Sequence, residues 1–363
     1  MGRHLRSWVT GRPPVGDTSG PEAATVVLED PAFLDALLGS DAVGPRTLVL
    51  APAARDGRDD GSGATVVGYE GSLSGSEGDA SIGDVLFLQS QDYGVSPYMS
   101  LLGTTLVRVA GGTDFEMFLA DADAARAEGG FAPFTVSPAV QIADLSALGA
   151  RVPGDGPGTR LYVDRDGGVS VSPQGLRLGS AGDPAAALHA AWRRLNAAGE
   201  AGGAVPLGAV LPEEVRGPAV LRRPWLARYL ATLDLLRDLR TRGITDPRVS
   251  GFGHRLVPGL DAVDGALDTD DPEAPFLCWT SDKAYVRVPG DDRIFQLGRR
   301  AAEITEMLLV LGSAEAVCAY AEGNAADTGS GPVDRAVVER VLAFFADRGA
   351  PLASGAPVLE ATA

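Results

Sequence analysis

Apolar and polar positions along this chain follow two different periods, and these periods predict strands and helices. Between residues 22 and 150, short apolar runs typical of strands alternate with segments of helical spacing. The strand-like runs are Thr25–Leu28, Thr47–Leu50, Ala64–Val67, Val85–Leu88 and Thr105–Val109, and the helical segments are Pro31–Leu38 and Asp114–Arg126. Such alternation predicts an α/β or α+β domain over residues 22–150.

A Pro/Gly-rich stretch at 152–158 opens a second region, residues 151–260. The runs Arg160–Asp164 and Gly168–Val171 are predicted to form a β-hairpin, because Asp166-Gly167-Gly168 between them is a turn composition. Helical spacing then follows from Ala185 to Ala198 and again after Pro224. We expect these helices to pack on the hairpin, either as a separate region or as part of the first domain.

The last third of the chain has the clearest pattern. Residues 261–274 are acidic and poor in apolar side chains, which predicts a linker. Beyond it, three strand-like runs are followed by three helical segments, which predicts a small βββααα domain over residues 275–352 with a winged-helix-like arrangement. The runs are Phe276–Thr280, Ala284–Val288 and Arg293–Leu297, and the helical segments are Arg299–Leu311, Ser313–Ala321 and Pro332–Arg348.

This C-terminal segment resembles the PqqD-like recognition elements of pathways that modify ribosomally made peptides (RiPP biosynthesis). The matching residues are Asp292-Arg293-Ile294-Phe295-Gln296-Leu297-Gly298, the helix start Arg300-Ala301-Ala302-Glu303-Ile304, the polar loop through Gly331, and the helix Val338-Glu339-Arg340-Val341-Leu342-Ala343-Phe344-Phe345-Ala346-Asp347-Arg348-Gly349. The resemblance covers about 80 of the 363 residues. More loosely, the whole chain is similar to the recognition proteins of daptide-type clusters.

The resemblance implies where a peptide binds. The leader of a precursor peptide is expected to add as a strand to the third strand and to press its side chains on the third helix. Physics favours the same mode, since the open edge of a short sheet offers unpaired backbone groups to an extended peptide. The predicted strand residues are Arg293, Phe295, Gln296 and Leu297, the predicted helix wall is Val338, Val341 and Leu342, and the predicted rim is Arg335 and Arg340. The alternative is that the apolar residues are ordinary core and the arginines a solvated face.

Charge argues against nucleic acid and anionic membranes as partners. The formal net charge is −17, and from Pro275 onward it is −4, whereas a DNA-reading helix normally lies on a basic surface. A winged-helix DNA-binding regulator is therefore a disfavoured alternative. One segment, from Arg222 to Arg248, has the opposite charge, because it contains seven arginines and only three aspartates. It is either a docking surface for an acidic partner or a helix whose arginines are solvated.

The sequence contains no recognisable group of catalytic residues. Two cysteines, three histidines and one lysine exclude cysteine-rich metal sites, His-rich zinc motifs and phosphate-binding loops of the GxxxxGK type. His254, which follows Gly251 and Gly253, is the one candidate base, and a turn histidine is the alternative. We expect no cofactor, no metal and no catalytic residue. With neither a signal peptide nor a membrane span visible, a cytoplasmic location is predicted.

Together these patterns predict a non-catalytic recognition protein. Residues 275–352 are expected to bind a precursor leader, and the larger N-terminal part is expected to present it to a modifying enzyme of the same pathway. The alternative is a peptide-modifying enzyme whose N-terminal α/β domain carries an unrecognised catalytic site.

Overall fold

The chain is a mixed α/β protein, as predicted, and it contains a large central sheet. The computed structural model describes residues 1–14, 20–75, 78–83, 85–199, 201–263, 266, 270–290, 293–324 and 333–352. Contacts divide it into an N-terminal unit, Met1–Asp121 with Ala132–Leu226, and a C-terminal unit, Ala122–Phe131 with Ala227–Ala363. Residues 227–260, grouped by sequence with 151–226, thus share their contacts with the C-terminal unit. Of the predicted linker 261–274, residues 264, 265 and 267–269 lie outside the described residues.

The N-terminal unit is built on one sheet, to which the described residues contribute eleven strands. The strands are β1 (Thr25–Leu28), β2 (Leu48–Pro52), β3 (Gly57–Arg58), β4 (Thr65–Gly71), β5 (Asp79–Ile82), β6 (Leu86–Asp92), β7 (Thr104–Arg108), β8 (Val140–Ile142), β9 (Arg160–Val163), β10 (Gly168–Ser170) and β11 (Gly179–Ser180). Their order is β11-β10-β9-β1-β2-β4-β5-β6-β7-β8, with β3 paired to β4. Strands β9, β1, β2 and β4 are parallel, as are β6, β7 and β8, while β5 is antiparallel to both its neighbours. The carboxyl ends of these parallel strands therefore share one edge of the sheet.

Helices cover both faces of this sheet. They are α1 (Gly2–Thr10) on one face and α2 (Leu34–Leu38) and α4 (Ala185–Asn196) on the other. Helix α5 (Glu213–Leu221) belongs to the same unit, and α3 (Gly112–Glu128) is divided between the two units. Val26 on β1 packs in one core cluster with Leu37 of α2 and Leu188 of α4, whereas the next residue, Val27, packs with Trp8 of α1. Successive side chains of a strand point to opposite faces, so β1 is buried on both sides.

Helix α1 lies before residue 22, in a part of the chain for which the sequence analysis predicts no element. Trp8 is buried and donates its indole N–H to the carbonyl of Leu161 at 3.1 Å. The buried guanidinium of Arg160 donates to the carbonyl of Trp8 at 3.0 Å and to the carboxylate of Asp144 at 2.7 Å. A buried charge needs such partners, and here they fix α1 to the sheet.

The C-terminal unit confirms the predicted order of three strands and three helices as elements. Its elements are α6 (Leu226–Thr241), β12 (Arg248–Val249), β13 (Phe276–Trp279), β14 (Ala284–Arg287), β15 (Ile294–Leu297), α7 (Arg299–Leu311), α8 (Ala314–Gly323) and α9 (Arg335–Ala346). The four strands form an antiparallel sheet in the order β12-β13-β14-β15. Ser313 and Asp334 cap α8 and α9, because their side chains accept hydrogen bonds from Ala316 N and Ala336 N. Pro332 and Gly331 lie outside the described residues.

A buried carboxylate ties the segment before the sheet to α7. Glu306 accepts hydrogen bonds from the Ser250 hydroxyl at 2.6 Å, from Leu256 N at 2.8 Å and from Val257 N at 2.6 Å. The side chain of Glu306 has no exposed surface, so these three donors replace the water that it loses. Residues 250–257 are therefore an integral part of the C-terminal unit.

Candidate functional site

Strand β15 lies at the outer edge of the C-terminal sheet. It pairs with β14 in the register Ala284 to Leu297 and Arg287 to Ile294. Among the described residues, no strand pairs with its other side. The third strand of the predicted meander is therefore an open edge in this part of the chain.

Two hydrogen bonds next to the ladders show which backbone groups face each neighbour. Thr280 N donates to Lys283 O at 2.8 Å across the β13–β14 turn, and Ser250 N donates to Leu277 O at 2.9 Å across β12–β13. In an antiparallel sheet both backbone groups of a residue point to the same neighbour, and the direction alternates along the strand. Lys283 therefore faces β13, and the next residue, Ala284, faces β15.

The same alternation identifies the groups at the open edge. Ala284 pairs with Leu297, so Leu297 and, two residues earlier, Phe295 bond to β14. The residues between them, Ile294 and Gln296, direct their N–H and C=O groups away from β14. Those are the groups that an added strand would meet, and the side chain of Gln296 is exposed.

Helix α9 runs beside β15. The ring of Phe295 lies edge-on to Phe345 and Phe344, with centroids 5.4 and 6.2 Å apart. Arg293, just before the strand, donates to the carbonyl of Arg348, just after the helix, at 2.8 Å. Leu297 packs on the same core as Phe295. The structure thus brings together the predicted strand residues and the predicted helix, with the odd-numbered side chains on the helix side.

The helix wall differs from the prediction at Val338. That side chain is 0% exposed and belongs to the core, so it offers no surface to a ligand. Val338 therefore agrees with the alternative stated for these apolar positions, which is ordinary core packing. Val341 and Leu342 are half-buried and do keep exposed surface.

The apolar strip beside β15 includes Val341, which was predicted, and also Val337 and Phe344, which were not among the predicted site residues. Val337, Val341 and Phe344 follow at helical spacing, all are partly exposed, and Phe344 touches Phe295. The guanidinium of Arg348 lies 3.8 Å from the centre of the Phe344 ring. Helical periodicity shows that these residues share a face, but the position of β15 is needed to show what the face borders. We call this strip and the open edge of β15 the β15–α9 surface.

The two predicted rim arginines differ in their surroundings. Arg335 forms ion pairs with Glu315 at 2.7 Å and with Glu339 at 2.9 Å. Arg340 is exposed and forms neither an ion pair nor a hydrogen bond with any described residue. Arg340 is therefore the better placed of the two to meet an acidic ligand.

Two other sequence candidates have structural roles. Within the arginine-rich stretch from 222 to 248, Arg228 is buried against backbone carbonyls, and Arg242 pairs with Asp238 at 3.2 Å. His254 closes a tight turn, in which its carbonyl accepts from Gly251 N at 3.0 Å. Gly251 has a φ of 84°, a left-handed conformation that favours glycine. The glycines around His254 thus serve the turn.

Polar side chains of the N-terminal unit cluster at the carboxyl end of β1. Tyr69 donates to the carbonyl of Leu28 at 2.7 Å, and the hydroxyls of Ser74 and Tyr162 bond with the carboxylate of Glu29. Burial raises the pKa of both tyrosines above the ordinary value, so both stay protonated. These groups satisfy one another and join three strand ends.

A separate cleft of about 260 Å³ opens at the amino ends of β1 and β9. It is lined by Glu22, Arg46, the glycine-rich loop 154–159, His189 and Trp192. His189 lies 3.1 Å from the carbonyl of Pro21 through Nε2. In open parallel sheets, ligands bind at the opposite, carboxyl edge, so this cleft does not match that arrangement.

Within the described residues, no group of three or more His, Cys, Asp or Glu side chains is arranged to hold a metal ion. No single helix there is long and apolar enough to cross a membrane, and only the pair α7 and α8, bent by 110°, passes that test together. No family model, no curated protein and no solved structure matches the chain.

Proposed function

We propose that this chain is a non-catalytic recognition protein that binds the leader of a ribosomally made precursor peptide at the β15–α9 surface. The C-terminal unit would act as a PqqD-like winged-helix element, and the N-terminal unit would present the bound precursor to a modifying enzyme. The observation that carries the proposal is the open edge of β15 with an apolar helix face beside it.

The backbone chemistry supports strand addition. Ile294 and Gln296 direct two N–H and two C=O groups to the edge, which is the pattern that an antiparallel or parallel peptide strand needs. The edge strand of a sheet presents a row of unpaired N–H and C=O groups, which can template pairing with another chain. A peptide on this edge gains main-chain hydrogen bonds that do not depend on its sequence.

The neighbouring helix supports selectivity. Alternate side chains of a bound strand point to one face, and here that face is bordered by Phe295, Val341 and Phe344. Arg340 lies on the same helix, one residue before Val341. This combination favours a leader in which apolar residues alternate and an acidic residue lies near the centre of α9.

A titration of the full chain tests the proposal. The probe is a fluorescein-labelled synthetic leader, an extended peptide in which apolar residues alternate around one acidic residue, and its binding is followed by fluorescence polarisation. We expect saturable binding, weakened roughly tenfold by Gln296→Pro, which removes an edge N–H but no ladder bond. Gln296→Ala, the matched control, keeps the N–H and should bind like the original chain.

Two outcomes would overturn the proposal. One is the absence of saturable leader binding by the full chain. The other is normal binding by a Gln296→Pro variant whose circular dichroism is unchanged. If the labelled probe instead changes mass when only this protein and common cofactors are added, the enzyme alternative replaces the proposal.

A further inference from the structure

Large apolar side chains are exposed on one stretch of the N-terminal unit. Val85 is 91% exposed, Tyr98 84% and Leu102 74%, and Phe87 and Met99 are nearly half-exposed. The other exposed large hydrophobics in the described part of the chain are Met1, Val215 and Leu221. A folded chain that kept such a surface in water would be unusual.

The connection between β6 and β7 makes these residues one surface. Gln89 and Gln91 lie on the same side of β6 as Phe87, because side chains alternate along a strand. Gln91 Nε2 donates to the carbonyl of Ser100 at 3.4 Å, and Gln89 Oε1 accepts from Leu102 N at 2.8 Å. Residues 99–103 therefore lie over that side of β6 and bury both glutamines beneath them.

The exposed side chains gather along this cover. Parallel pairing of Leu88 with Thr104 puts Phe87 beside Gly103, and the Phe87 ring is 3.9 Å from where a Cβ of Gly103 would lie. Leu102 directly precedes Gly103 in the sequence, and Tyr98 directly precedes the covering segment 99–103. We call Val85, Phe87, Tyr98, Met99 and Leu102 the 85–102 patch.

Charge is nearly absent from this part of the sequence. Between Val85 and Val107 the only charged residue is Asp92, although 22% of the chain is charged. The centres of protein interfaces are likewise poor in charge and rich in aromatic residues and methionine. The composition of the 85–102 patch is thus that of an interface centre.

We infer that the 85–102 patch joins two copies of this chain. With a formal net charge of −17, two copies repel each other across most approaches, and a face without charge is where that repulsion is weakest. A different protein drawn to this chain by charge would instead meet its acidic surfaces. Burying the patch from both copies removes on the order of 1,200 Å² from water, the lower end of the range for specific interfaces.

Sedimentation velocity of the full chain tests this inference. The original chain should sediment as a dimer at about 0.1 mM. The substitutions Leu102→Asp and Tyr98→Asp should each convert the dimer to a monomer. The matched control is Leu221→Asp, which puts the same charge on another exposed leucine of the same unit and should leave the dimer intact. Circular dichroism confirms that each variant is folded.

The outcomes separate this inference from the proposed function. Gln296→Pro should remain dimeric, and Leu102→Asp should still bind the leader. A monomeric original chain would overturn the inference, as would a folded Leu102→Asp dimer or dissociation by Leu221→Asp. So would a monomer that loses binding to a modifying enzyme on Leu102→Asp, since the surface would then belong to that enzyme.

Discussion

Arg293 donates a hydrogen bond to the backbone carbonyl of Arg348 at 2.8 Å, which ties the start of β15 to the end of α9. The Phe295 and Phe344 rings lie edge-on to each other, with the Arg293 guanidinium 5.5 Å from the centre of the first ring and the Arg348 guanidinium 3.8 Å from the centre of the second. The spacing between strand and helix is therefore set before any ligand arrives, and a preformed site loses less free energy to ordering when it binds.

Arg340 and Arg335 provide the first prediction. Arg340→Glu should weaken leader binding roughly tenfold, because it replaces a charge-assisted contact with a repulsion. Arg335→Glu should have a smaller effect, since Arg335 already pairs with Glu315 and Glu339. Polarisation with the labelled leader measures both. Equal affinities for the two variants would remove Arg340 from the binding surface.

The neighbouring phenylalanines Phe344 and Phe345 should separate binding from stability. Phe345 has no exposed surface, and Phe345→Ala should lower the free energy of unfolding by roughly 3 to 5 kcal/mol. Phe344 is partly exposed, so Phe344→Ala should cost much less stability while weakening the leader. Urea unfolding and polarisation give the two quantities. Unchanged leader affinity in Phe344→Ala would contradict the proposal that the apolar strip contacts the bound leader.

Glu306 gives a pH-dependent prediction. Burial raises the pKa of this carboxyl above its ordinary value, against the opposing effect of its hydrogen bonds from Ser250, Leu256 and Val257. The folded chain therefore holds this proton to higher pH than the unfolded chain does. Its contribution to stability is full below the unfolded pKa and declines as pH rises through the folded one.

The matching variant is Glu306→Gln, which does not titrate. Its amide group opposes one of the donors, so it should lower stability by roughly 1.5 to 3 kcal/mol at low pH. The difference from the original chain should shrink as pH rises above 4.5, the ordinary value for this group. Unfolding curves at several pH values measure this difference. A gap that widens with pH would show that the carboxylate is the stabilising form.

The two cysteines should react differently with thiol reagents. Cys278 is buried, and burial raises its pKa to about 12, so hardly any thiolate forms near neutral pH. Cys318 is only half-buried. We expect the folded chain to label at Cys318 first, and Cys318→Ser to abolish the fast phase of absorbance with Ellman's reagent. Fast labelling that persists in Cys318→Ser would mean that Cys278 is accessible.

Local signals explain why the C-terminal elements could be predicted from sequence. Ser313 caps α8, and Pro289-Gly290 separates β14 from β15. The ends of these elements are therefore determined by residues next to them in the sequence. Strand β12 has two residues and exists because it pairs with β13, far along the chain. A two-residue strand is too short to be predicted from a local sequence pattern, and the three-residue β8 is also too short.

The site shows the same division. Helical spacing grouped Val338, Val341 and Leu342, but which of them is core depends on how α9 is rotated against α7 and α8. Phe344 and Arg348 were missed because only the position of β15 shows that their face borders an open edge. Periodicity identifies a face, and tertiary packing decides what lies against it.

Strand β12 also limits how this protein can be divided. It covers the side of β13 that lies away from β14, with Arg248 opposite Trp279 and Ser250 N bonded to Leu277 O. An excised module that began at Pro275 would keep β15 but lose this cover, together with the donors that satisfy Glu306. Its sheet would then have two open edges, which favours edge-to-edge association of copies. A usable excised module therefore has to begin before Arg248.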